Sequence, residues 1–285
     1  MTPPAPLGDI LAYLGEIGYG DFYLRPPAPQ ARLAHTPQTV QTTQAIQRPQ
    51  APPEPAPELT VPPPPPRVAV AIMEPAAEPI LVPIGSATGP APEVRLAELK
   101  SLAEAVGACS RCRLAEGRKS VVFGAGNPDA DLMLIGEGPG AEEDRQGLPF
   151  VGPAGELLTR IIQAIELKRD DVYIANVVKC RPPGNRDPQP DEVQACRGYL
   201  EKQVALVRPR LLVALGRVAA QALLGNESPI GQLRGRWYQA FGVPAMVTYH
   251  PAALLRNPAL KRPTWEDMQQ VRDRLRSLDN VLESC

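Results

Sequence analysis

The chain has 285 residues, with 30 basic and 31 acidic side chains, a formal net charge of −1 and 36 prolines. No run of ~18 or more apolar residues occurs, which excludes a membrane-spanning helix. The N-terminus has no basic region followed by an apolar core and cleavage site, so a cytoplasmic protein is expected. Five cysteines, an odd number without an export signal, argue against a disulfide framework and for metal binding.

The composition is uneven. Residues 1–25 hold an apolar-rich island in which Ile10, Leu11, Leu14 and Ile17 recur at helical spacing, the pattern of a short amphipathic docking segment for a protein partner. Roughly half of the prolines lie between Pro26 and Pro92, in a tract poor in aromatic residues and containing the run Pro62 to Pro66. Such a tract lacks the apolar surface to offset the entropy of ordering, so 26–94 reads as a disordered proline-rich linker. The first 94 residues carry 4 basic and 8 acidic side chains, the remainder 26 and 23. That small basic excess permits nucleic-acid binding but requires a local patch to achieve it.

From Arg95 the pattern becomes that of one domain, 95–285, of about 190 residues, enough for one filled core. Leu96, Leu99, Leu102, Ala103 and Val106 predict a helix that delivers Cys109. Asp131 to Ile135 reads as a buried strand running into the glycine-rich segment Gly136 to Gly140. Pro153 to Leu167 is helical, with proline at the start, where a missing N–H does no harm. Val172 to Val178 is a β-branched strand, Asp191 to Val207 a helix, Leu211 to Leu215 an apolar strand ending at Gly216, and Val218 to Leu224 a helix. Ala245 to Tyr249 reads as strand and Trp265 to Leu278 as a closing helix. Strand–helix alternation with short connections predicts a three-layer α/β/α domain with a mostly parallel central sheet. Ligand sites in such sheets lie beyond the carboxyl ends of the strands. Glu137, Asn176 with Lys179, and His250 all stand at such ends.

Cys109 and Cys112 form a C-x-x-C pair, and Cys180 and Cys196 follow far downstream. Four thiolates hold either a tetrahedral zinc or an iron–sulfur cluster, and spacing alone does not choose between them. Arg111, Arg113, Lys179, Arg181 and Arg197 flank them, and cationic neighbours favour thiolates and offset the charge of a thiolate-bound metal group. Two functional classes remain open on the residues alone: an enzyme acting at the strand ends, and a DNA-binding module stapled by metal.

The segments Gly136-Glu137-Gly138-Pro139-Gly140, Glu143-Asp144 and Gly147 to Gly152 together resemble the first motif of family 4 uracil-DNA glycosylases. Ala175 to Pro183 resembles their second block, and His250-Pro251-Ala252-Ala253-Leu254-Leu255 resembles the histidine motif of the wider superfamily. The likeness spans roughly 97–278, and three motifs in order are far more specific than one. It implies a monofunctional hydrolase that flips uracil out of single- or double-stranded DNA and cuts its N-glycosidic bond, working as a monomer. It assigns a [4Fe-4S] cluster to Cys109, Cys112, Cys180 and Cys196. Phe150 is the implied stacking residue and Asn176 the reader of the base edge. His250 would donate to uracil O2, and Glu137 would position water. Gly138 and Gly140 stand where the broader superfamily has aspartate and tyrosine, which leaves open a wider base range, such as hypoxanthine or xanthine, and makes Glu143 the candidate barrier to thymine. Leu254 is the implied wedge into the base stack. Arg256 and Arg234, with Arg236, Lys261 and Arg262, are candidate phosphate contacts, with Lys179 and Arg181 nearer the cluster.

Overall fold

The computed structural model describes residues 90–283. The amphipathic segment expected over 1–25, nearly all of the proline-rich tract and the terminal Cys285 lie outside the described residues. The first described helix, α1 (Pro92–Gly107), begins on proline and buries Leu99 and Val106. Arg95 on this helix donates to the carbonyls of Leu206 and Val207 at 3.0 and 3.4 Å. Those carbonyls end a later helix, Pro190–Val207, whose last C=O groups have no intrahelical partner and favour a cation.

Six strands form one sheet: β1 (Ala125–Gly126), β2 (Leu132–Gly136), β3 (Tyr173–Asn176), β4 (Leu211–Leu215), β5 (Trp237–Ala240) and β6 (Val243–Thr248). Their order is β1-β3-β2-β4-β6-β5. The central four are parallel, and the two edges run antiparallel. The expected mostly parallel α/β sheet is therefore present. Its central strands are continuous apolar runs because both faces are covered. Alternation assigns successive residues to opposite faces. Met133, Ile135, Leu212 and Ala214 join one core cluster with Leu99, Leu200 and Val204 from helices. Leu132, Leu134, Leu211 and Val213 join a second with Leu158, Ile162, Met268 and Val271. These are the outer layers of an α/β/α sandwich.

Both edge strands escaped the sequence reading. β1 is two residues long, too short for a periodic signal. β5 folds back onto β6 through Phe241-Gly242, both at positive φ (53° and 77°), the geometry of a tight two-residue hairpin.

β2 has β3 on one side and β4 on the other, so the chain reverses its direction of travel across the sheet at β2. A crevice opens at such a switch point, beyond the carboxyl ends of the strands. The residues that follow β2, β3, β4 and β6 all emerge there.

Candidate active site and cysteine cavity

A cleft of about 510 Å³ occupies this edge, and Glu137, Gly138, Gly140, Glu143, Phe150, Asn176, His250 and Arg256 line it. Three segments separated by up to 119 positions in sequence thus contribute to one cavity. Gly136, the last residue of β2, packs against two of these lining residues, Asn176 and Phe150. A side chain here would collide with both the Asn176 amide oxygen and the Phe150 ring, so glycine is what lets amide and ring close over the strand end. Asn176 is buried, and its Oδ1 has no hydrogen-bond partner. An unmatched buried acceptor costs about 1–3 kcal/mol, which points to a ligand donor that completes it.

His250 faces Phe150, with ring centroids 5.5 Å apart and planes tilted by 31°. The backbone N–H of Ala252 donates to His250 Nδ1 at 3.1 Å. Nδ1 is therefore an acceptor, and the ring proton of the neutral imidazole resides on Nε2. Burial, with Arg256 adding to it, pushes the His250 pKa down to about 4. At neutral pH the residue is an uncharged Nε2–H donor.

Phe150 has a left-handed backbone, φ 53°, which is costly for an aromatic residue. Two side chains hold it there. Arg169 donates to the carbonyls of Pro149 and Phe150 at 2.7 and 3.0 Å. The Glu143 carboxylate accepts from Val151 N and Gly152 N at 3.0 and 3.1 Å, and from Gly140 N at 3.1 Å. Glu143 thereby ties the glycine-rich turn to the Phe150 loop. A Cβ at Gly140 would press into this carboxylate, so the small residue makes room for the brace.

Glu137 follows β2 and meets Asp187, from the loop after Cys180. Arg217, the first residue of the helix after β4, forms an ion pair with Asp187. Burial first, then Asp187, raises the Glu137 carboxyl to about 7, while Arg217 opposes the rise. Asp187, Arg217 and Arg169 were not singled out from sequence. Asp187 and Arg217 flank the recognisable segments, but neither stands in a pattern that marks it.

Cys109, Cys112, Cys180 and Cys196 line one small second cavity together with Arg111, Arg118 and Tyr199. Arg118 donates to Cys180 Sγ at 3.3 Å and to the Cys109 carbonyl at 2.7 Å, bridging two of the cysteine-bearing segments. The Arg111 guanidinium lies 4.7 Å from the Tyr199 ring centroid. Burial pushes the Cys196 thiol up to about 11. Among the described residues no three His, Cys, Asp or Glu side chains form a group able to hold a single ion, whereas the four thiols surround a common space.

The family model of the Uracil DNA glycosylase superfamily matches residues 123–269. A type-4 uracil-DNA glycosylase of Saccharolobus solfataricus is 45% identical over 197 residues, 65% of this chain and 91% of that protein. One of Thermotoga maritima is 42% identical over 178 residues, covering 61% and 93%. A type-5 uracil-DNA glycosylase of Pyrobaculum aerophilum is 34% identical over 163 residues, covering 51% and 71%. The chain belongs to the uracil-DNA glycosylase superfamily, in its type-4 branch. The family model's stretch runs from Phe123, just before β1, into the closing helix and includes every strand of the sheet.

Within this glycosylase fold two expectations about DNA contacts change. Leu254 is 2% exposed and belongs to a helix, Pro251–Arg256, while Leu255 is 47% exposed; the leucine available as a wedge is Leu255. Adjacent helical residues are about 100° apart around the axis, so only one of the pair turns inward. Arg234 is tied to Asp267 at 2.5 and 3.1 Å and to the Pro263 carbonyl at 2.6 Å, over the Tyr249 ring; its charge is matched inside the fold. Lys179, expected near the cysteines, lines their cavity; it is buried and donates to the Asn176 carbonyl at 2.8 Å and to Gln203, so it also braces the end of β3. No helix among the described residues is long and apolar enough to cross a membrane.

Proposed function

We propose that this chain hydrolyses the N-glycosidic bond of deoxyuridine in DNA, releasing uracil after the nucleotide is flipped into the cleft. The observation that carries the reading is the buried, unmatched Oδ1 of Asn176. Uracil presents an N3–H donor at the position where cytosine presents an acceptor. Uracil completes Asn176, whereas cytosine leaves two acceptors opposed, and a mismatch of this kind in a buried site discriminates by roughly 10⁴ or more. The base rests against Phe150. His250 Nε2–H donates to uracil O2, where negative charge accumulates as the bond to C1′ lengthens. A neutral donor fixed before the reaction stabilises that charge without reorganising. Glu137, once ionised, faces the sugar, where it orients water and stabilises the positive charge of the departing ring. Glu143 stiffens the wall beside Gly140 and so limits room for a thymine methyl.

Leu255 fills the gap in the base stack, and Arg256 contacts phosphate. Cys109, Cys112, Cys180 and Cys196 hold a [4Fe-4S] cluster. Four thiols about a common cavity, with Arg118 beside them, supply the donor set for such a cluster. When bound, the cluster supplies a rigid cross-link between the segment before β1, the loop after β3 and the helix Pro190–Val207, since hydrolysis moves no electrons.

The test is release of free base from oligonucleotides carrying one uracil, cytosine or thymine. The wild-type protein should release uracil alone. Asn176→Ala should lose most of that activity while keeping its melting temperature, and full activity in this variant would overturn the assignment of the pocket.

A further inference from the structure

We infer that Asp187 is a positioning residue for Glu137: the two carboxyl groups share one proton at the cleft, and Arg217 holds the negative charge on Asp187. The inference deepens the uracil-excision reading and rests on it for its assay. Three separate segments supply the unit. Glu137 follows β2, Asp187 lies in the loop between Cys180 and the helix Pro190–Val207, and Arg217 follows β4, and all three line the same cleft. The Asp187 carboxyl raises the Glu137 pKa both by its charge and as a side-chain hydrogen-bond partner. Two carboxylates have only acceptors, so this bond requires a proton on one of them. Arg217 forms an ion pair with Asp187, and the raised pKa of Glu137 places the shared proton on Glu137. Arg217 is itself fixed by a 3.0 Å bond from its Nη1 to Gln221.

The other charged groups around the cleft do not compete for this role. His250 is neutral and its Nδ1 is occupied. Glu143 is held by three backbone N–H groups. Arg186 is bound to Glu192 at 2.7 and 2.8 Å. Arg256 acts on His250. The carboxylate that opposes ionisation of Glu137 is Asp187, and the cation that assists it is Arg217.

Deprotonation of Glu137 then switches the site on. The protonated carboxyl neither orients water as an acceptor nor stabilises a cationic sugar, so the single-turnover rate should rise with pH through about 7. In Asp187→Asn an amide N–H donates to Glu137 in place of the shared proton, and the rising limb moves to lower pH. On the acid side a displacement of one pH unit is a tenfold gain over wild type, since the ionised fraction there changes tenfold per unit. Arg217→Gln should move the limb to higher pH. Asp187 and Arg217 side chains are 58% and 48% exposed, so neither change opens the core.

The experiment is single-turnover uracil release from saturating uracil-containing duplex between pH 5 and 9, in the full-length protein with its metal content intact, for wild type, Asp187→Asn, Arg217→Gln and Glu137→Gln. Opposite displacements of the limb in the first two variants, with a flat low profile in Glu137→Gln, are expected. A limb in Asp187→Asn that coincides with wild type or moves to higher pH overturns the inference, as does a wild-type profile with no rising limb. Glu137→Gln with wild-type rates would instead show that the Glu137 assignment is wrong.

Discussion

His250 offers the sharpest quantitative test, because one feature of its surroundings fixes its charge, its tautomer and its contribution to stability. Burial, reinforced by Arg256 and partly offset by Glu143, lowers its pKa to about 4, below the ordinary value near 6.5. The folded chain therefore takes up this proton later than the unfolded chain as pH falls. Stability from the neutral ring is complete above about 6.5 and is lost progressively as pH drops toward 4. At about 1.4 kcal/mol per pH unit, that interval amounts to about 3 kcal/mol. Urea unfolding at a series of pH values should show this loss in the wild type and not in His250→Ala, whose curve differs in slope below pH 6.5. The chain has two histidines, so His35→Gln leaves one imidazole for nitrogen NMR. That signal should report a neutral ring protonated on Nε2 at pH 7 and unchanged at pH 5.5. His250→Ala should also lose ~10²–10³ in the rate of uracil release, the usual cost of removing a prepositioned donor at a developing anion. A folded-state ring that titrates near 6.5, with no difference in slope between the two proteins, would refute the reasoning.

Other outcomes follow from the same geometry. Leu254→Ala should destabilise the fold by ~2–5 kcal/mol, as for a buried leucine. Leu255→Ala should leave the melting temperature nearly unchanged while slowing release from duplex more than from single-stranded DNA; equal effects on both substrates would rule out a wedge. Arg169→Ala removes the two bonds that hold the Phe150 turn against a strain of ~1–3 kcal/mol, so uracil release should fall roughly tenfold or more with the strand core intact, as read by single-turnover rates. Protein purified without oxygen should be brown, with broad absorption near ~400 nm, and should lose both colour and thermal stability on iron removal or in Cys196→Ser. A colourless protein with stoichiometric zinc would count against the cluster.

The sequence by itself determined the parallel centre of the sheet. Leu211–Leu215 is the strand expected, with no change of bounds, and Leu132–Gly136 and Tyr173–Asn176 fall within a few residues of the expected spans. An apolar run between turn residues states directly that a strand is covered on both faces. It also brought forward Glu137, Asn176 and His250, because polar groups at the ends of such strands are conspicuous. Tertiary structure alone decided which of Leu254 and Leu255 turns inward, that Lys179 is buried against Gln203, that Arg234 is matched by Asp267, and that Asp187 reaches Glu137. The last three depend on partners 24, 33 and 50 positions away that share no periodicity with the residue itself. Local pattern records how many faces of an element are covered, while the identity of the atoms on the other side is fixed only when the elements pack.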